Sequence, residues 1–278
     1  MNDDQLINKK FHILQRQKLL KDNDKFIYNE LSSNIINSLE NINLSLKNCL
    51  EIGASSKKIY KYIQLKFPKI NYIMMDISKK ILDKNTDDKQ SILLDHDEWN
   101  LNQKKFDLII SNFYLHLTNN FDHLLKNIND SLNSNGFFIA TLPGINCLHE
   151  IKNCMIQADI EIYGGAYRRF IELFSIEKIT EILKKHNFKI PVIEVEHLEL
   201  RYKKFSSLLK DIRYLANSNI YYDRKKTFEN KIYFRKVEEI FWKQYSKNKK
   251  LLLHLEIIYI SGWKDDPSQQ KQLKSGEL

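Results

Sequence analysis

Apolar residues in this chain fall into short continuous runs separated by stretches with helical spacing. Residues 48–53 (NCLEIG), 70–76 (INYIMMD), 91–95 (SILLD), 106–111 (FDLIIS) and 136–142 (GFFIATL) read as buried strands. Between them, 56–66 carries Ile59, Tyr60 and Ile63 on one helical face, continued by Phe67 and stopped by Pro68, and 78–83 and 121–132 are helix-like. Continuous apolar strands alternating with helices imply an α/β fold with a parallel sheet covered on both faces. Further along, 145–158 and 175–186 look helical, and 191–200 (PVIEVEHLEL) alternates as a half-exposed strand does. A helix over 205–216, an amphipathic helix over 227–245, a last strand over 251–261 (LLLHLEIIYIS) and a polar tail from Pro267 complete the pattern. The expected division is an N-terminal helical extension (1–47), a core (48–200), a helical insertion or lid (201–250), and the last strand with its tail (251–278).

With 278 residues, 42% of them hydrophobic and 28% charged, the chain can bury one substantial core. No run approaches the roughly 18 apolar residues of a membrane span. The amino terminus opens with acidic and amide residues instead of a basic segment followed by an apolar one. Three cysteines, Cys49, Cys147 and Cys154, form no CxxC pair, which argues against a disulfide framework or a cysteine zinc site and predicts a cytoplasmic protein. The net charge of +9 comes from lysines spread along the chain. Most of them read as solvated surface, which disfavours a nucleic-acid partner and leaves room for peripheral membrane contact.

In an open α/β sheet, ligands bind beyond the carboxyl ends of the strands, so the residues just after each strand carry the chemical signal. The first strand runs into Glu51-Ile52-Gly53-Ala54-Ser55, where a glycine permits close backbone approach to a ligand. The second ends in Asp76 and Ile77, 25 positions beyond Glu51, where an acid can accept both hydroxyls of a ribose. The third delivers Asp95 and His96, the first of which suits an adenine amino group, and the fourth delivers Asn112 to His116. Singly, Gly53 also reads as a strand cap, Asp76 as part of a helix N-cap with Ser78, and Asp95 as an acidic loop residue. Their ordered recurrence along one sheet edge is the stronger observation.

Five segments carry a resemblance: 111–117 (SNFYLHL), 136–144 (GFFIATLPG), 162–169 (IYGGAYRR), 191–202 (PVIEVEHLELRY) and above all 255–275 (LEIIYISGWKDDPSQQKQLKS). Through them the chain resembles class I methyltransferases similar to the malonyl-carrier-protein O-methyltransferase of biotin synthesis. It resembles still more the branch containing the mitochondrial complex I assembly factor regarded as a protein arginine hydroxylase. The resemblance implies a Rossmann-like methyltransferase sheet with an antiparallel last strand and S-adenosylmethionine as cofactor. The cofactor would be held by Glu51, Gly53, Ala54 and Ser55, with its ribose on Asp76 and Ile77, its adenine near Asp95 and His96, and its sulfonium facing Asn112 to His116. It also implies a protein partner, either a carrier protein or a respiratory iron-sulfur subunit. The family's acid-x-Gly-x-Gly-x-Gly loop survives only as Glu51 and Gly53, with Ser55 and Lys57 at the later glycine positions, and Tyr167-Arg168-Arg169 replaces a Ser-Pro-Arg.

Methyl transfer to a carboxylate or hydroxyl needs in-line positioning more than proton transfer. His116 is the histidine expected at the active edge, either orienting an acceptor or removing a proton; a structural role at the start of the next helix explains it equally. Tyr114 is expected as an aromatic wall and Arg169 as a clamp for an acceptor carboxylate or carrier phosphate. Hydroxylation rests on the resemblance alone, because no histidine spacing announces an oxygen-activating iron site and no metal ligands are expected. A cofactor-binding assembly chaperone without turnover is a third reading, one the altered glycine loop permits.

Overall fold

A computed structural model describes residues 6–21, 26–54, 56–86, 91–215, 219–267 and 269. Ser55 and nearly all of the polar tail, 268 and 270–278, lie outside the described residues. In chain order the elements are α1 (Lys9–Gln17), a 3-10 turn (Lys18–Lys21), α2 (Phe26–Glu40), β1 (Asn48–Ile52), α3 (Lys58–Lys66), β2 (Asn71–Asp76), α4 (Lys79–Asn85) and β3 (Ser91–Leu93). They continue with a 3-10 turn (His96–Glu98), β4 (Phe106–Asn112), α5 (Phe121–Ser131), β5 (Leu132–Pro143), α6 (His149–Tyr163) and α7 (Ile176–Lys185). The remaining elements are β6 (Lys189–Tyr202), α8 (Phe205–Tyr214), α9 (Lys231–Gln244), β7 (Ser246–Lys247) and β8 (Lys250–Trp263).

Four of the continuous apolar runs became the buried strands they predicted, because strands covered on both faces leave no position for alternation. The run 91–95 gives only the short edge strand β3, with Ser91 and Leu93 exposed because a strand lies on one side of it alone. Strand order is β3-β2-β1-β4-β5-β8-β6, with β7 on the flank of β8. β1 to β5 are mutually parallel, while β8 runs antiparallel between β5 and β6. Chain order reverses between β1 and β4, which opens a crevice at their carboxyl ends.

Several boundaries moved for local reasons. β3 stops at Leu93 because Asp95 caps the 3-10 turn, its carboxylate accepting the Asp97 N–H. The helix expected from 145 starts at His149, since Gly144 and Leu148 first donate their N–H groups to the Glu256 and His254 carbonyls on β8. α9 starts at Lys231, where Asn230 caps it by accepting the Tyr233 N–H.

One apolar layer joins α2, α3, α6, α8 and α9 to one face of the sheet, and α5 and α7 cover the other. Within the 201–250 segment expected as an insertion or lid, Phe205, Leu208, Tyr233, Val237, Ile240 and Phe241 are buried in the first layer. Phe228, just before α9, is fully exposed. The aromatic residues of the segment therefore divide between packing and surface. Phe241→Ala should cost about 3–5 kcal/mol in denaturant unfolding by leaving a cavity, whereas Phe228→Ala should stay within about 0.5 kcal/mol. Equal costs would contradict this division.

Candidate functional site

The carboxyl edge of β1, β2 and β4 gathers most of the residues singled out in the sequence. Gly53 turns the chain after β1 with φ +78°, and its N–H donates to the Met75 carbonyl at 2.7 Å. A Cβ there would collide with Cβ and Cγ of Tyr114, so glycine is required on two counts. Ala54 is buried, with its carbonyl accepting from Asn85 Nδ2 at 2.6 Å. Glu51, also buried, accepts the Tyr72 hydroxyl at 2.7 Å.

Asp76 ends β2 with both oxygens engaged. Oδ1 accepts the Ser78 N–H at 2.8 Å, and Oδ2 pairs with Nη2 of Arg16 at 2.7 Å. Arg16 comes from α1 and has no exposed side-chain surface. Burial opposes its charge, but the Asp76 carboxylate, with smaller contributions from the Tyr28 and Tyr114 hydroxyls, more than offsets this, so its pKa rises above the ordinary value. Its guanidinium carbon lies 4.5 Å from the centre of the Tyr114 ring. That ring in turn meets His12 at 5.8 Å and His96 at 4.8 Å. Burial, followed by the charges of His96, Arg16 and His116, pushes His12 well below the ordinary histidine range, so it stays neutral beside the guanidinium.

Thus the space beside Gly53 and Asp76 is occupied by Tyr114, Arg16, His12 and His96. Sequence reasoning missed the α1 residues for a physical reason. The helix buries His12, Gln15 and Arg16 while exposing Leu14, the inverse of the amphipathic pattern. Around this cluster, His12 Nε2, Gln15 Oε1, Arg16 Nε and Nη1, Ser78 Oγ and both ring nitrogens of His96 are buried without a hydrogen-bond partner among the described residues. Each such atom costs about 1–3 kcal/mol if it stays unsatisfied, so this strand edge concentrates groups that water or a polar ligand would stabilise.

Other expected residues stand differently. Ile77 is buried beside Asp76, and Asp95 faces Lys9 at 3.4 Å besides capping its turn. Asn112 turns away from the edge. Its Nδ2 donates to the Tyr28 carbonyl and Ser32 Oγ on α2 at 3.1 and 2.9 Å, and its Oδ1 accepts from Thr141. It braces α2 against β4 at the carboxyl end of the strand. His116 is buried against Phe113, with 5.3 Å between rings. Burial and the charge of Asp76 hold the Tyr114 hydroxyl well above its ordinary pKa, which suits a wall and rules out a base near neutrality.

Arg169 is not a free clamp. It donates to Asp159 through Nε and Nη2, pairs with Glu229 at 2.7 Å and lies 4.4 Å from the centre of the Tyr233 ring. It does line a cavity of about 380 Å³ between α1, α6, α8 and α9. Phe11 and Gln15 of α1 form one wall, and the cations are Arg168, Arg169, Arg213, Arg224, Lys225 and Lys226, with no acidic residue in the lining. Arg213, Arg224 and Lys226 have no carboxylate partner among the described residues. Four arginines and two adjacent lysines, spread between positions 168 and 226, thus converge on one concave place. A wider depression of about 1070 Å³, lined by Lys184, Phe188, Pro191 and Asp265, lies near the amino end of β5 and holds none of the expected site residues.

Residues 22–192 match the model of a family described as a methyltransferase domain. The arginine-hydroxylase NDUFAF5, mitochondrial, of Dictyostelium discoideum is 28% identical over 274 residues, covering 90% of this chain. The chain spans 62% of that relative's length. The malonyl-[acyl-carrier protein] O-methyltransferase of Legionella pneumophila is 21% identical over 253 residues, covering 88% of this chain and 87% of the relative. A solved SAM-dependent methyltransferase from Archaeoglobus fulgidus superposes with a TM-score of 0.51 at 15% identity, over 87% of this chain and 97% of that one, which shows a shared fold.

Breaking the buried Arg16–Asp76 pair from one side leaves an uncompensated charge. Arg16→Met should cost about 3–5 kcal/mol in urea unfolding, and the Arg16→Met/Asp76→Asn double variant should recover most of that loss. Strict additivity of the single costs would refute the coupling.

Proposed function

The chain belongs to the methyltransferase domain family, and from that premise we propose that it binds S-adenosylmethionine at the β1–β2–β4 edge and methylates an anionic acceptor held in the adjacent basic cavity. The observation that carries the cofactor reading is the ring of unsatisfied buried polar atoms around Asp76. A nucleoside offers donors and acceptors to all of them, and a ribose suits a carboxylate at the tip of the second strand. Asp76 and Ile77 would hold the ribose, Asp95 and His96 the adenine, and Glu51, Gly53 and Ala54, with Ser55, the amino-acid end. Because Arg16 holds Oδ2 of Asp76, binding requires Arg16 to give up that oxygen. Once bound, the cofactor supplies an electrophilic methyl group on a sulfonium.

The acceptor reading rests on charge. Three cations without a carboxylate partner among the described residues, Arg213, Arg224 and Lys226, and no acid in the lining favour a carboxylate or phosphate-bearing ligand and oppose a guanidinium. A carboxylate attacks with its own lone pair, so neither Tyr114 nor His116 need remove a proton. Tyr114 then serves as a wall excluding water, and His116 orients the loop after β4. Arg169, locked by Asp159 and Glu229, positions the cavity floor, while Arg213, Arg224 and Lys226 contact the acceptor. As with the Legionella relative, a carrier protein presenting a carboxylate fits this chemistry. The 201–250 segment acts as the outer wall and lid. The name of the Dictyostelium relative suggests arginine hydroxylation as a second reading, and the charge of this cavity weighs against an arginine acceptor there. The three cysteines are free thiols and buried, and burial pushes Cys147 and Cys154 up to about 12, so they are protonated and unreactive near neutral pH. Among the described residues no helix is long and apolar enough to cross a membrane.

Calorimetric titration with S-adenosylmethionine should show one site, weakened at least tenfold by Asp76→Ala. With a malonyl carrier protein as acceptor, mass analysis should find a methyl ester, and Lys226→Glu should raise KM with little change in kcat. No heat of binding by the wild-type chain would overturn the cofactor reading. An added oxygen on an arginine peptide, with no ester formed, would overturn the acceptor reading.

A further inference from the structure

Where β5 hands over to α6, the chain is tied to β8. Leu148, in the left-handed region at φ +62°, donates its N–H to the His254 carbonyl at 3.0 Å. The next two residues, His149 and Glu150, are thereby set against His254 in the middle of β8. Their ligand atoms and that of His254 lie within 4.8 Å of one another. Glu150 is buried, with Oε1 facing both imidazoles: it contacts Nδ1 of His254 and lies 3.5 Å from Nε2 of His149. Its Oε2 accepts the His254 N–H at 3.3 Å, which fixes the carboxylate.

The far nitrogen of each ring is also held. Nδ1 of His149 lies 3.3 Å from the Asn146 carbonyl, and Asn146 is itself gripped by Glu256 through its backbone N–H and Nδ2 at 3.1 and 2.9 Å. Nε2 of His254 lies 3.5 Å from Oε2 of Glu199, the residue opposite it on β6. Without a metal the Glu150–His254 contact needs a proton on Nδ1 of His254. An ion held there would replace that proton, and the oxygen behind each imidazole would then keep the remaining N–H on the far nitrogen, the arrangement that orients metal-ligating histidines. The two rings lie nearly parallel with centroids 6.0 Å apart, and both are partly exposed, so one side of the cluster opens to solvent.

We propose that His149, Glu150 and His254 bind a divalent first-row transition metal, with Glu199 and Asn146 as positioning residues. Two imidazoles and one carboxylate are the donor set that zinc, cobalt and ferrous iron accept, and an open side leaves coordination positions for solvent or a ligand. Ligands about 2.1 Å from one ion stand no more than about 4.2 Å apart, a contraction that a small rotation of the exposed rings provides. Glu150, Glu199 and Glu256 supply negative charge around the place. The sequence did not announce the cluster because 104 residues separate Glu150 from His254, and only the antiparallel return of β8 brings them together. The inference is independent of the cofactor site.

The test uses the full-length chain without a histidine tag, stripped of metal. Cobalt should give visible absorption saturating at one equivalent, and zinc should abolish it by displacement. His149→Ala and His254→Ala, both at partly exposed positions, should fold normally and each raise the cobalt Kd at least tenfold, while the exposed control His123→Ala should leave it unchanged. Absence of saturable cobalt absorption in the wild-type chain, or retention of wild-type affinity in both alanine variants, would overturn the proposal.

Discussion

A guanidinium with no exposed surface cannot stay charged without a counter-charge, and Asp76 at the tip of β2 supplies it to Arg16. That pair decides much of what lies around it. It pins α1 over the strand edge, sets the Tyr114 ring above Gly53 and keeps His12 neutral. It also leaves other polar atoms of α1 and the strand ends buried and unsatisfied. Those unsatisfied atoms are costly, and a polar ligand that reaches them lowers that cost, provided its own anionic end or solvent takes over the Arg16 guanidinium displaced from Asp76. The same residue thus fastens the amino-terminal helix and forms the natural seat for a ribose.

The two neighbouring regions differ in electrostatic character. Around Asp76 the groups are mixed and mutually compensating, whereas every charged residue lining the cavity behind Phe11 and Gln15 is a cation, three of them without a carboxylate partner among the described residues. Gln15 and Arg16 are consecutive on α1, so one helix contributes to both regions.

Much of this architecture was readable from residue pattern. Buried strands announce themselves as unbroken apolar runs, and Gly53 and Asp76 stand at the ends of two of them, where the parallel topology makes carboxyl ends converge. What depended on distant pairing was not readable. Asn112 was expected to face a ligand, but α2 claims its amide through Tyr28 and Ser32, some 80 residues earlier. Arg169 was expected as a clamp, but Asp159 and Glu229 occupy it. Nothing in a single sequence says which face of a helix such as α1 will be buried when that face is polar. The histidine and glutamate cluster escaped notice for the same reason, being assembled by an antiparallel strand from the far end of the chain.

The most direct measurement is a crystal structure of the chain grown with saturating S-adenosylhomocysteine. The account predicts ribose hydroxyls on the Asp76 carboxylate and the Arg16 guanidinium withdrawn from Oδ2. An intact Arg16–Asp76 pair, with the nucleoside absent or bound elsewhere, would contradict it.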